Sequence, residues 1–150
     1  MATHGSVLEE AYARFVDEHA REAERLRAAR EQRDARTRRG HAELRRALEE
    51  AGPFLRAQGF FLVADEAEGK GEGGAAGARP LQLAAAVGDA ASGRVVATVT
   101  VEGDTFGVAQ PLLLGAEPHV TGELADALVR VAQILAAHRC SFPRGPLAPI

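Results

Sequence analysis

The chain has 150 residues, 46% of them apolar, with a formal net charge of −3 and a single cysteine. These values exclude wholesale disorder and an internal disulfide framework, and leave room for one domain plus an appendage. A charge this small does not by itself announce a nucleic acid or an acidic partner.

No apolar run approaches the ~20 residues needed to span a bilayer, so no membrane association is expected. The opening MATHGSVLEE lacks the basic start and apolar run of a signal peptide. The expectation is a cytoplasmic protein.

The first element reads as a long helix. Ser6 and Glu9 stand at capping-box spacing, and Leu8, Tyr12, Phe15 and His19 follow at helical intervals, with Leu26 extending the stripe. The apolar signal fades from Arg27 to His41 and returns with Leu44 and Leu48. Gly40 interrupts the pattern as a candidate kink, and Gly52-Pro53 is placed to end it. Charge reverses along this arm: Glu9, Glu10, Asp17, Glu18, Glu22 and Glu24 dominate the first part, whereas arginines dominate from Arg25 to Arg46. Two such arms laid antiparallel are complementary to one another.

From Gly59 the chemistry changes. GFFLVAD reads as a strand, and residues 69–78 as a glycine-rich loop. LQLAAAVGD (81–89) and RVVATVTVEGD (94–104) read as two further strands. In the second, Val95, Ala97, Val99 and Val101 alternate with Val96, Thr98 and Thr100. FGVAQPLLLG (106–115) is a fourth candidate, with Pro111 placing it at an edge or breaking it. Thr121 is positioned to cap a final helix running to about His138, and prolines 143, 146 and 149 mark an extended tail. The fold class is therefore α+β. A long helical arm precedes an antiparallel meander of three or four strands, which a C-terminal helix covers. The division is expected between an arm at 1–58 and a small domain at 59–150.

Catalytic and cofactor motifs are weak. Gly71-Glu72-Gly73-Gly74-Ala75-Ala76 matches GxGxxA in letters, but neither a preceding strand nor a following helix supports a dinucleotide turn. His138 and Cys140 offer two metal ligands where a closed zinc site needs four. Ser6, Ser92 and Ser141 read as cap, turn and tail residues. No catalytic residue, cofactor or metal is assigned, and an enzyme is not expected.

The arm carries the functional expectation. Leu8, Tyr12, Phe15, His19, Leu26, Leu44 and Leu48 form a self-association set, pointing to a non-enzymatic assembly or adaptor subunit. It would form a homo-oligomer, a dimer first of all, or dock onto a larger bacterial protein complex. The alternative is a dimeric nucleoid-associated type of protein that binds DNA or RNA through Arg25, Arg27, Arg30, Arg33, Arg36, Arg38 and Arg39. Arginine suits phosphate, but at roughly 100° per residue these positions surround the helix instead of lining one face. In element order alone, with no shared motif, the chain resembles the YbaB-type nucleoid-associated proteins and the small dimeric secretion chaperones of bacteria.

Overall fold

The structure, a computed structural model, describes residues 3–65 and 80–142. The glycine-rich loop expected at 69–78 and the proline-rich tail lie outside the described residues. The chain divides into two compact units, Met1–Arg33 and Asp34–Ile150, whereas the sequence placed the division near 58. The element order is α1 (His4–Glu50), α2 (Gly52–Ala57), β1 (Phe60–Asp65), β2 (Leu83–Asp89), β3 (Val95–Glu102), β4 (Thr105–Ala109), β5 (His119–Thr121) and α3 (Leu124–Ser141). This is the expected α+β class, with five strands among the described residues where three or four were expected.

In the first unit, α1 begins two residues before the expected cap. Thr3 Oγ1 accepts the Ser6 N–H at 3.1 Å, and the Thr3 carbonyl accepts the Val7 N–H, so threonine takes the capping role.

In the second unit the five strands form one antiparallel sheet in the order β1-β2-β3-β4-β5. Alternation along the strands turns Phe60, Ala85, Val87, Ala97, Val99, Val101, Phe106 and Val108 to one face, where they join the core. Residues of α1 (Leu44, Leu48), α2 (Leu55) and α3 (Ala127, Val131, Ile134, Leu135) complete that core. The opposite face carries Ala84, Ala86, Thr98 and Thr100, all half-buried. A bulge between Val87 and Gly88 adds one residue to β3 opposite β2. Val96 and Ala97 are both buried as a result, although simple alternation assigned Val96 to the other face. Gly103, at φ 59°, opens the two-residue turn between β3 and β4, where a β-carbon would be strained.

Gly40 is not a kink. Within the second unit α1 runs through it unbroken to Glu50. A Cβ there would lie 3.1 Å from Val101 Cγ1 and 3.5 Å from the Phe106 ring, so glycine serves close approach of helix to sheet. On either side of it, Thr37 Oγ1 accepts the Gly103 N–H at 2.7 Å, and His41 Nε2 donates to the Ala84 carbonyl at 3.1 Å. Leu44 and Leu48 continue this buried face.

The remaining boundaries have local causes. α1 ends at Glu50, just before Gly52-Pro53 as expected, but Pro53 then stands in the first turn of the short α2, where its missing N–H costs nothing. β4 stops before Pro111, which cannot donate to a ladder. Thr121 ends β5 instead of capping α3, its hydroxyl accepting the Glu123 N–H at 3.2 Å.

Gly40 gives a test of this packing. Gly40→Leu should lower unfolding stability by about 1–3 kcal/mol, because the added branch has no room against Val101 and Phe106. Gly40→Ala should be nearly neutral, since a helix-propensity gain of ~1 kcal/mol offsets the crowding. Urea unfolding of the two variants checks both values.

Candidate functional site

The helix of the first unit leaves its apolar residues in water. Leu8 and Tyr12 are 70% exposed, Phe15 50% and Leu26 59%. At 100° per residue these four and His19 fall within a sector of roughly 60°. They form one stripe, bordered by Val16 and Ala23. Around it run intrahelical ion pairs: Asp17 with Arg21 at 2.8 Å, Glu22 with Arg25, and Glu24 with Arg27. The hydrogen bond from Arg27 to Glu24 holds the Arg27 guanidinium above its ordinary pKa. The Arg14 guanidinium lies 5.0 Å from the Phe15 ring centroid, in the middle of the stripe. Such exposed pairs hold few side chains firmly and are open to exchange with another chain's charges.

Leu44 and Leu48 belong elsewhere. The structure buries both in the core of the second unit, where the chain's own sheet and α3 cover them. Their place in the association set is thereby corrected: an apolar stripe states that a face needs cover, and here the cover is internal. The arginines are also divided. Arg25, Arg27 and Arg30 are exposed in the first unit, the first two paired with carboxylates. Arg33 is half-buried at that unit's end. In the second unit Arg36 pairs with Asp104 at 3.1 Å, while Arg38 and Arg39 are exposed.

The sequence reading missed a buried polar cluster in the second unit. Asp89, at the end of β2, accepts the Ala91 N–H on Oδ1 at 3.0 Å and His138 Nε2–H on Oδ2 at 2.8 Å. Arg139 Nη2 lies 3.8 Å from the same carboxylate and donates to the Gln58 carbonyl at 3.0 Å, while Nη1 donates to the Phe142 carbonyl at 3.1 Å. The guanidinium also covers the Phe60 ring, 4.6 Å from its centroid. This arrangement ties the end of α3 to the β2–β3 turn and to the segment before β1. The His138 hydrogen bond, helped by the Ala91 N–H and Arg139, holds the Asp89 carboxyl below the usual aspartate range against the opposing effect of burial.

Beside the cluster is an apolar groove of about 460 Å³, lined by Leu48, Phe54, Phe60, Leu128, Val131 and Leu135 among others, with Cys140 at its edge. Among the described residues, no three His, Cys, Asp or Glu side chains come together to hold a metal ion. No helix of the described residues is long and apolar enough to cross a membrane. Compared with known proteins, the chain matches no family model, no curated protein and no solved structure.

The cluster sets a pH dependence. A depressed carboxyl pKa contributes stability that is present above the unfolded value near 4 and lost as pH falls through the folded value. Asp89→Ala should therefore cost about 3 kcal/mol at neutral pH, as expected for a broken buried pair. The gap from the wild type should shrink as pH falls below about 4. Urea unfolding across that range checks it; a gap that stays constant would mean that Asp89 acts through packing alone.

Proposed function

We propose that the chain is a non-enzymatic assembly subunit whose N-terminal helix joins it to other protein chains, first of all to copies of itself. The observation that carries this reading is the stripe of Leu8, Tyr12, Phe15 and Leu26, four large side chains at least half exposed along one helix face. A helix covered on one side by its own domain normally turns such a face inward. Contiguous exposed apolar surface of this kind is the usual mark of a protein interface. The same stripe would serve for docking onto a larger partner.

Nucleic-acid binding, the alternative raised by the arginines, has less support. Arg25, Arg27 and Arg36 already lie against carboxylates, and phosphate contacts would have to displace them. The acidic residues Asp17, Glu18, Glu22 and Glu24 share the first unit's helix and would repel a phosphate backbone.

Light scattering of the full chain at micromolar concentration should give a dimer or larger species. Phe15→Glu combined with Leu26→Glu should convert it to monomer without changing the unfolding midpoint of the second unit. A monomeric wild type, or an assembly that ignores both substitutions, would overturn the proposal. Fluorescence anisotropy with a labelled DNA duplex separates the alternative, which requires binding that weakens steeply between about 50 and 200 mM salt.

A further inference from the structure

The geometry of the first unit's helix points to one partner and one orientation: a second copy of the same helix, packed antiparallel in a single register. This rests on the reading that the exposed stripe binds protein, and adds to it the identity and direction of the partner. The stripe follows a heptad, with Tyr12, His19 and Leu26 at one core position and Leu8, Phe15 and Glu22 at the other. Only Glu22 puts a carboxylate into that pattern, and it does so one turn from His19.

When two helices with this heptad lie antiparallel, each residue of one core position faces the other core position of the partner. One register sets Phe15 against the partner's Leu26 and Tyr12 against the partner's Ala29, a large residue facing a small one. At the centre it sets His19 against the partner's Glu22, twice by symmetry. At the flanking positions Glu18 meets the partner's Arg25, Glu9 meets the partner's Arg30, and Val16 meets the partner's Ala23. Every charge pair in that set is between opposite signs, and the outermost core layer sets Leu8 against the partner's Arg33, whose aliphatic stem covers it. Forming it requires Arg25 to leave Glu22 of its own helix, where the pair is largely exposed and weakly held. That exchange frees Glu22 for the partner's His19.

The competing arrangements fail on the same residues. A parallel pair sets Glu22 against the partner's Glu22, His19 against the partner's His19 and Arg25 against the partner's Arg30. Sliding the antiparallel pair by one heptad sets Glu18 against the partner's Glu18 in one direction, and Arg25 against the partner's Arg25 in the other. Like charges directly opposed disfavour all three. Charge complementarity therefore selects both the orientation and the register.

Cysteine cross-linking in the full chain, with Cys140→Ser to remove the exposed thiol, reads the register directly. The double variant Phe15→Cys/Leu26→Cys should form a disulfide-linked dimer under mild oxidation, whereas each single variant should not. Independently, Glu18→Arg should weaken self-association about three- to tenfold, and adding Arg25→Glu in the same chain should restore it. Cross-linked dimers from either single variant would overturn the antiparallel register. So would a dimer in which the double variant fails to link and the charge reversals have no effect. In both cases light scattering would still show an assembly, so the proposed function would stand. A wild-type chain that stays monomeric would remove both.

Discussion

At Gly40 the backbone of α1 comes so close to the sheet that a single added carbon would lie 3.1 Å from Val101 Cγ1. Such an approach brings the polar groups beside it within hydrogen-bonding distance: Thr37 satisfies the Gly103 N–H in the β3–β4 turn, and His41 satisfies the Ala84 carbonyl. Both side chains are buried, and each meets a backbone group, so neither polar side chain is hidden from water without a partner. With the helix fixed at this depth, Leu44 and Leu48 reach the layer of Val87, Val99 and Val101 and close the core. A glycine that weakens an isolated helix thus permits the contact that stabilises the domain.

Opposite demands are met at the end of α3. Asp89, His138 and Arg139 bring polar and charged groups into a half-closed corner, and each has a defined partner. A pair of this kind adds little net stability over an apolar substitute, but its hydrogen bonds are directional. Hydrophobic contacts along α3 allow small slides and rotations; the directional bonds at its end do not. The cluster therefore sets the position of the last helical turn over β1 and the β2–β3 turn, and with it the wall of the neighbouring groove.

The helix of residues 4–33 obeys different rules. It has no sheet beneath it within its own unit, and its charged residues form local pairs whose individual worth is small. Leu8, Tyr12, Phe15 and Leu26 nevertheless lie along one side, as apolar residues do in helices that bury a face. A helix of this length in water gains stability chiefly from burying such a stripe. That contrast between an exposed apolar stripe and a closed core is what supports the proposal that the first unit binds other chains.

Much of the fold was legible in the residues themselves. The alternation of Ala97, Val99 and Val101 with Thr98 and Thr100 marked β3, the Leu/Val/Ala face marked α3, and the run of helical spacing marked α1. These signals are local, because strand and helix periods repeat within a few residues. The stripe of Leu8, Tyr12, Phe15 and Leu26 and the charge reversal beside it were equally visible. What covers an apolar face is not a local property, so Leu44 and Leu48 carried the same signal as Leu8 while belonging to the core. The polar residues Thr37 and His41 hid the buried face between them, and only their distant partners Gly103 and Ala84 account for their burial. Asp89 and His138 lie 49 positions apart and form no motif until the sheet and α3 bring them together. By itself the sequence determined which segments coil, which extend and where charge changes sign; the tertiary structure decided which faces were already covered, because burial depends on contacts that no short stretch of chain contains.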